Sequence, residues 1–448
     1  MTHEAITELA GALGSKGCAS GAALAAKGRL WDISDARHGI FPQMLLSPAN
    51  LGEISTALEI CHRHRLPIVP QGGLTGLAGG ANARAQDVAL SLSRFAGIED
   101  IDTIAGTMTL RAGTILETAQ RTAAEAGFVL PIDLGSRGSC QIGGVISTNA
   151  GGSRVIRYGT TRDNLLGLEC VTAQGQVLSH LSCVTKDNTG YDLRHLFCGS
   201  EGTLGIVTRA VLRLYPQPGG IQTALCALDD FGQVIALLQR ARRGVVLQAF
   251  EVMWQDHFVM SGGRTTFATP PPFAVLIEAE GQALEPLLEQ ALEASEITDA
   301  LIAQSVAEAR AFWDIRESVH PEKDLQGVLN LDVSIPIRAM GAFARDGQAV
   351  IRALDPDAEA YFFGHVGDGN LHVMARLPRF GHEGEDELQK AVYPLVRQFG
   401  GSISAEHGIG SLKREWLGYS RSTAEIAAMR AIKAALDPCG LMNPGKVI

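Results

Sequence analysis

PQGGLTGLAGG, residues 70–80, follows the short apolar run LPIVP and precedes VALSLSRF, residues 88–95; both flanks read as strands. Five glycines fall in the ten residues after Pro70. Glycines let successive backbone N–H groups point into one concavity and leave no Cβ to block a close approach, which is how such loops hold phosphate. The stretch lacks the Lys-Ser/Thr of a P-loop and a strict G-x-G-x-x-G, and ANARAQDVAL behind it does not open a helix at once, so both usual nucleotide motifs are disfavoured. A tight structural turn stays open as the other reading of this loop taken alone.

Two further segments change the balance. PIDLGSRGSCQIGGVISTNAGG, residues 131–152, offers Ser136, Ser139, Thr148 and Asn149 among glycines, and CGSEGTLGIVT, residues 198–208, places Gly199, Gly202 and Gly205 before an alternating strand. Together the three suggest a large, extended ligand with a pyrophosphate in its middle. Around them, LGEISTALEICHRHR, residues 51–65, has Ile54, Leu58 and Cys61 at helical spacing. Residues 106–127 read as strand, turn and helix ending at Gly127, and residues 143–178 read as holding little helix before a hairpin turning at Gln174-Gly175. PQPGGIQ, residues 216–222, is the best internal linker. Beyond it FGQVIALLQRAR and EPLLEQALEA read as helices and FAVLIEAEG as a strand, which suits a second α+β domain. The tail, AIKAALDPCGLMNPGKVI, reads as a helix stopped by Pro438 and Gly440 and then an extended end.

A chain of 448 residues suggests two to three domains, and 46% hydrophobic residues make it globular. A net charge of -10 without a long basic run argues against nucleic acid. No basic start followed by an apolar run opens the chain, and no apolar stretch reaches the ~18 residues of a spanning helix. The eight cysteines are scattered without a C-x-x-C pair, as expected of reduced thiols in the cytoplasm, with a peripheral place at the inner membrane also considered. Cys140 reads as a small packing residue.

Taken together, PQGGLTGLAGG, GSCQIGGVISTNAGG, CGSEGTLGIVT, GHVGDGNLH, SAEHGIG and LMNPGK make the chain resemble the FAD-binding family typified by vanillyl-alcohol oxidase. Within that family it resembles the D-2-hydroxyacid dehydrogenases: D-lactate dehydrogenase, the glycolate oxidase flavin subunit and D-2-hydroxyglutarate dehydrogenase. The resemblance runs from about residue 35 to the C-terminus. It implies an α+β fold with a two-subdomain FAD-binding domain over 1–218, an α+β substrate- and metal-binding domain over 219–430, and a tail, 431–448, returning to the flavin. It further implies that Pro70, Gln71, Gly72, Gly73, Thr75 and Gly76 hold the FAD pyrophosphate and ribose. Asp133, Gly135, Ser136, Cys140, Gly143, Gly144 and Asn149 are then expected along the flavin and ADP path, with Gly205 and Ile206 at a ring edge and Asn443 back at the flavin. Members that attach FAD covalently through the first loop carry a His where this chain has Leu74, so dissociable FAD is expected.

FFGHVGDGNLHV, residues 362–373, puts His365 and His372 on either side of a Gly-Asp-Gly-Asn turn. If residues 367–370 form the loop, the two histidines pair nearly directly across the strands and could offer two imidazoles to one metal. Two histidines on the polar face of an exposed hairpin is the other open reading. The resemblance assigns His365, His372 and Glu406 as ligands of a divalent metal: zinc first, with Mn, Fe or Co as alternatives. Asp368 reads as a turn former. The resemblance makes His407 the general base for the substrate hydroxyl, with hydride passing to flavin N5, and a neutral imidazole suits that task at neutral pH. Arg316, in FWDIRES, is the implied clamp on the substrate carboxylate, for which its planar fork is suited. His320, one helical turn on, could reach the same pocket.

The chain departs from the 2-hydroxyglutarate members at three substrate positions. Asn330 stands where they usually have lysine, Met374 where they tend to have asparagine, and His320 where they tend to have a small hydroxyl residue. The first two changes remove a cation and a polar group, which favours a D-2-hydroxy monoacid of lactate type or larger; D-2-hydroxyglutarate and D-malate stay open. Electrons are expected to pass to a quinone, a cytochrome or an electron-transfer flavoprotein. A homodimer is the assembly considered. Two other classes were weighed: a non-redox transferase like the alkylglycerone-phosphate synthases, against which Glu406 and the two-histidine hairpin argue, and a partner-dependent flavin subunit. With no cysteine cluster for iron–sulfur ligation, any such centre would belong to a partner.

Overall fold

The computed structural model describes residues 2–34, 38–317, 328–381 and 384–448. The chain divides into two compact units. The first comprises residues 1–152, 158–217 and 406–448, and the second residues 153–157 and 218–405.

The first unit contains a four-stranded sheet in the order Cys18–Ala19, Met44–Leu46, Val88–Ser91, Ile68–Gln71. The last three strands run parallel, and the helix Leu51–Arg63 supplies the crossover between the second and the fourth. That helix starts where Asn50 accepts the N–H of Glu53, and it buries Ile54, Ala57, Leu58, Ile60 and Cys61, the face its spacing foretold. A second, five-stranded sheet is antiparallel throughout, in the order Ile98–Asp102, Thr107–Arg111, Ile206–Arg213, Leu165–Val171, Val177–His180. The last two of these form the hairpin that turns at Gln174-Gly175.

Residues 143–178 hold more helix than their glycine content suggests. Ile142–Ser147, Val155–Tyr158 and Thr161–Asn164 are all helical. Each is short, and Gly143 in the first of them is required by packing: a Cβ there would lie 2.9 Å from the Ala112 side chain. The C-terminal residues return to the first sheet. Ile68 donates its N–H to Leu441 and accepts that of Asn443, so the tail forms a parallel bridge beside the strand that leads into the first glycine loop.

The second unit is built on a seven-stranded antiparallel sheet in the order Asp299–Ile302, Ile221–Leu228, Phe273–Glu280, Val246–Trp254, Glu359–Gly364, Asn370–Arg376, Val328–Ser334. Helices Phe231–Gly244, Leu284–Glu293, Met340–Leu354 and Gly384–Gln398 bury apolar faces such as Leu237, Leu287, Phe343 and Val392. Residues directly opposite in an antiparallel ladder share a face. One face therefore carries, from inner strand to edge, Met253, Phe363, His372 and Asp332, and Glu251, two residues before Met253, lies on that face too. Three of these five are polar residues at 9% exposure or less.

Candidate functional site

In the first unit the two glycine-rich loops lie against each other. A Cβ on Gly73 would fall 2.0 Å from the carbonyl oxygen of Ser139, so only glycine permits this approach. Gly72 faces Gly144 and Gln141 at ordinary contact distance, while a Cβ on Gly144 or Gly135 would meet nothing within 4 Å. Gln71 is buried and anchors the loop by donating to the carbonyls of Leu30 and Ala81. Among the described residues, the backbone N–H groups of Gly72, Gly73, Thr75 and Gly76 donate to no other part of the chain. Leu74, Asn149 and Asn443 all hold positive φ, at 57°, 50° and 41°. Such backbone is costly for residues with a Cβ and is held by its surroundings. Asn443 is fixed by donating to the carbonyls of Gly80 and Glu201, and the Asn149 side chain accepts the N–H of Arg162.

Two buried acceptors near these loops, Gln141 Oε1 and Asn443 Oδ1, have no hydrogen-bond partner among the described residues. A buried acceptor left unmatched is costly, and a ligand with hydroxyl or amide donors would satisfy it. Open N–H groups together with unmatched acceptors suit a polar, phosphate-bearing cofactor such as FAD. Other residues expected along the cofactor path do packing work here. A Cβ on Gly205 would lie 2.8 Å from the Val171 carbonyl, Ile206 is buried in the core, and Pro70 packs where a side chain on Gly202 would stand. Asp133 pairs with Arg137 at 2.8 Å, and the Ser136 carbonyl accepts the N–H groups of Ser139 and Cys140. The Cys140 thiol is buried, which pushes its pKa up, as suits a packing residue.

The loop after Ala405 belongs to the first unit. Glu406 accepts the N–H of Gly152 at 2.8 Å. His407, partly buried, stands before Gly408 and Gly410, both at positive φ. Sequence reading had no role for Glu201, yet its carboxylate accepts the N–H groups of Ile409 and Gly410 and so holds this loop. Burial raises the Glu201 pKa despite those two bonds.

In the second unit the hairpin register differs from the one expected. His372 stands opposite Phe363 and Asp332, and the strands end at Gly364 and begin at Asn370. His365 is therefore in the loop and diagonal to His372 instead of paired with it. A shift of two residues keeps the same face, so the rings still approach, with centroids 5.6 Å apart and planes at 76°. The loop closes on His365 itself, whose carbonyl accepts the N–H groups of Asp368, Gly369 and Asn370.

Each hairpin histidine has a buried carboxylate beside it. Glu251, 1% exposed on the strand Val246–Trp254, accepts from His365 Nδ1 at 2.7 Å. Its other oxygen accepts from Arg316 at 2.8 Å. Burial works to raise the Glu251 pKa, but His365 and Arg316 outweigh it and hold the carboxyl down to about 2. Asp332, fully buried, lies 3.9 Å from His372 Nδ1 and accepts the N–H of Ala405. Arg316 ends the helix Val306–Glu317 and lies over the Phe363 ring at 4.8 Å. Behind Phe363, His257 is fully buried and stacks on that ring at 4.0 Å; burial holds its pKa well below the usual value, so it is neutral. Two imidazoles this close, one buried and one partly buried, each with a carboxylate beside it, fit a divalent-metal donor set.

Arg316 and His365 are thus brought together through Glu251. Met374 is fully buried in an apolar cluster with Met253, Phe258 and Phe363, and Asn330, opposite it on the next strand, is exposed. His320 lies outside the described residues. Glu251 went unnoticed in the sequence; the signal for it is the single acid of the strand VLQAFEVMW, set between Phe250 and Val252.

Residues 217–447 match the model of the C-terminal domain of FAD-linked oxidases, and residues 42–180 match that of the FAD binding domain. A D-2-hydroxyglutarate dehydrogenase of Xanthomonas citri is 39% identical over 420 residues, 91% of this chain and 89% of that protein. A putative mitochondrial D-lactate dehydrogenase of Schizosaccharomyces pombe is 36% identical over 429 residues, 91% of this chain and 82% of that one. Among solved structures, an alkyldihydroxyacetonephosphate synthase superposes with a TM-score of 0.77 at 17% identity, covering 99% of this chain and 86% of that one, a likeness of fold.

Proposed function

Because the chain belongs to the FAD-linked oxidases, and within them to the FAD-dependent D-2-hydroxyacid dehydrogenases, we propose that it oxidises a D-2-hydroxy monoacid to the 2-oxo acid. The observation that carries the site is Glu251 bonded at once to His365 and Arg316. Bound FAD supplies the acceptor for the hydride leaving the substrate carbon, and a divalent ion supplies a Lewis acid at the substrate oxygen.

The chain's own part is to bind, orient and deprotonate. We assign His365, His372 and Glu406 as metal ligands, zinc first, on the strength of the motifs that carry them. Arg316 presents to the substrate carboxylate the guanidinium edge that Glu251 does not use. His407 takes the hydroxyl proton on a ring nitrogen. The loops at Gln71–Gly76 and 133–149, with Asn443, hold FAD without a covalent bond, because Leu74 offers no nucleophile. The preference for a monoacid rests on the sequence at positions 330 and 374, where Asn330 and Met374 supply no cation for a second carboxylate. The name of the Xanthomonas relative favours a second reading, D-2-hydroxyglutarate, with D-malate beside it. A cytoplasmic place accords with eight free cysteines, and no described helix is long and apolar enough to cross a membrane. The electron acceptor we propose is a quinone, a cytochrome or an electron-transfer flavoprotein.

Anaerobic mixing of the purified protein with D- and L-2-hydroxy acids tests the reading. Bleaching of the flavin by D-lactate or larger monoacids ahead of D-2-hydroxyglutarate is expected, and no bleaching by any D-acid overturns it. His407→Asn should keep FAD and slow bleaching about 10²–10⁴-fold.

A further inference from the structure

Glu251 takes no part in the chemistry above, yet its carboxylate is hydrogen-bonded to two residues of the proposed site in the second unit. Its strand reads as apolar on both sides of it, and the carboxylate is 1% exposed. A carboxylate withdrawn from water to this degree is tolerated only when donors surround it. Here they are divided between its oxygens. Oε1 accepts from His365 Nδ1 at 2.7 Å, and Oε2 accepts from both Nε and Nη2 of Arg316 at 2.8 Å.

We propose that Glu251 is a positioning residue that aims His365 and Arg316 together, one oxygen for each. The inference rests on the metal and substrate assignments made above.

Two consequences follow for its partners. An imidazole that donates from Nδ1 carries its lone pair on Nε2, so the bond selects the tautomer and turns the ligating nitrogen away from Glu251. A guanidinium bound through Nε and Nη2 has one planar edge engaged, which leaves the Nη1 edge to receive a carboxylate and fixes its plane. The Phe363 ring beneath Arg316 holds that plane from a second side. Both aims depend on one side chain of fixed length. Glu251→Asp keeps the charge but withdraws the oxygens by one methylene, so it cannot meet both partners at once. Glu251→Gln keeps the length but turns one acceptor into a donor that faces donors.

The test measures zinc affinity by competition with a chromophoric chelator, using the full chain with FAD bound. Wild type, Glu251→Asp, Glu251→Gln and His365→Ala are compared, and flavin absorbance per chain confirms that each is folded. A carboxylate behind a ligating histidine is worth about 10–100-fold in metal affinity. Glu251→Gln should show a loss of that size and Glu251→Asp a smaller one, with KM for the hydroxy acid raised in both at saturating zinc. Should Glu251→Gln fail to fold, the Asp variant decides. If the folded variants bind zinc within twofold of wild type while His365→Ala does not, the role of Glu251 is overturned and the metal site stands. If wild type binds no zinc, or His365→Ala binds as well as wild type, the metal assignment falls and this inference falls with it.

Discussion

The carboxylate of Glu201 accepts the backbone N–H of Gly410 at 2.8 Å, with that of Ile409 on its other oxygen. One side chain thereby holds the loop in which Glu406 and His407 stand, two hundred residues further along the chain. Removing it leaves two N–H groups without their acceptor, at about 1–3 kcal/mol for each. Glu201→Ala is expected to lose stability on that scale in denaturant titration and to slow flavin reduction, with Glu201→Gln losing less because one acceptor remains.

Gly73 tests the contact between the two glycine loops. Its missing Cβ would stand 2.0 Å from the Ser139 carbonyl, so Gly73→Ala must push the loops apart. Flavin per chain, read from the visible spectrum, should fall below half of the wild-type value. Gly219→Ala, where the added Cβ meets nothing within 4 Å, should leave it unchanged.

Removal of metal is the direct check on the hairpin histidines. A strong chelator should abolish flavin bleaching, and zinc, manganese or cobalt should restore it. Bleaching that survives a chelator, with no metal found by elemental analysis, would leave His365 and His372 as structural residues.

Acid treatment addresses Leu74. All the flavin should separate from the precipitated chain as free FAD, and yellow colour retained by the protein would mean a covalent bond elsewhere.

Glu169, 1% exposed, gives the acid limb of stability. Burial works to raise its pKa, but Arg209 at 2.8 Å and Thr208 at 2.9 Å outweigh it, and the value lies below 4.5. A carboxylate held lower in the folded state stabilises above its unfolded pKa, and that contribution is lost as pH falls through the folded value. Glu169→Gln should therefore lower stability at neutral pH by about 1.5–3 kcal/mol, the worth of a hydrogen bond to a charged group. Denaturation curves should show the gap to wild type closing as the pH falls below about 4.5.

The helix Leu51–Arg63 was legible because its apolar spacing is a local pattern, and the fold type followed from the resemblance of the motifs, a fold that solved structures of a 4-ethylphenol oxidase and a p-cresol methylhydroxylase share. The hairpin register was not. A shift of two residues leaves every side chain on its own face, so alternation cannot distinguish His372 opposite His365 from His372 opposite Phe363. Glu251 and Glu201 escaped for another reason: their partners lie from 65 to 209 residues away, and only tertiary pairing brings donor to acceptor. A lone acid inside an apolar strand is nevertheless a usable sign. Glu251 and Asp332, each the single acid of its strand with apolar neighbours on both sides, fit it, and both prove to be buried with partners. Met374 shows the converse, since its position in the sequence suggested a pocket wall and its side chain is fully buried in an apolar cluster.

The bridge between Ile68 and Met442 also joins two segments from opposite ends of the sequence, so the strand that launches the first glycine loop lacks its neighbour on that side until Met442 has been synthesised. Asn443 likewise reaches Gly80 only then. A variant cut short before Leu441 should therefore hold less flavin per chain than the full protein, even though both glycine loops are intact in it.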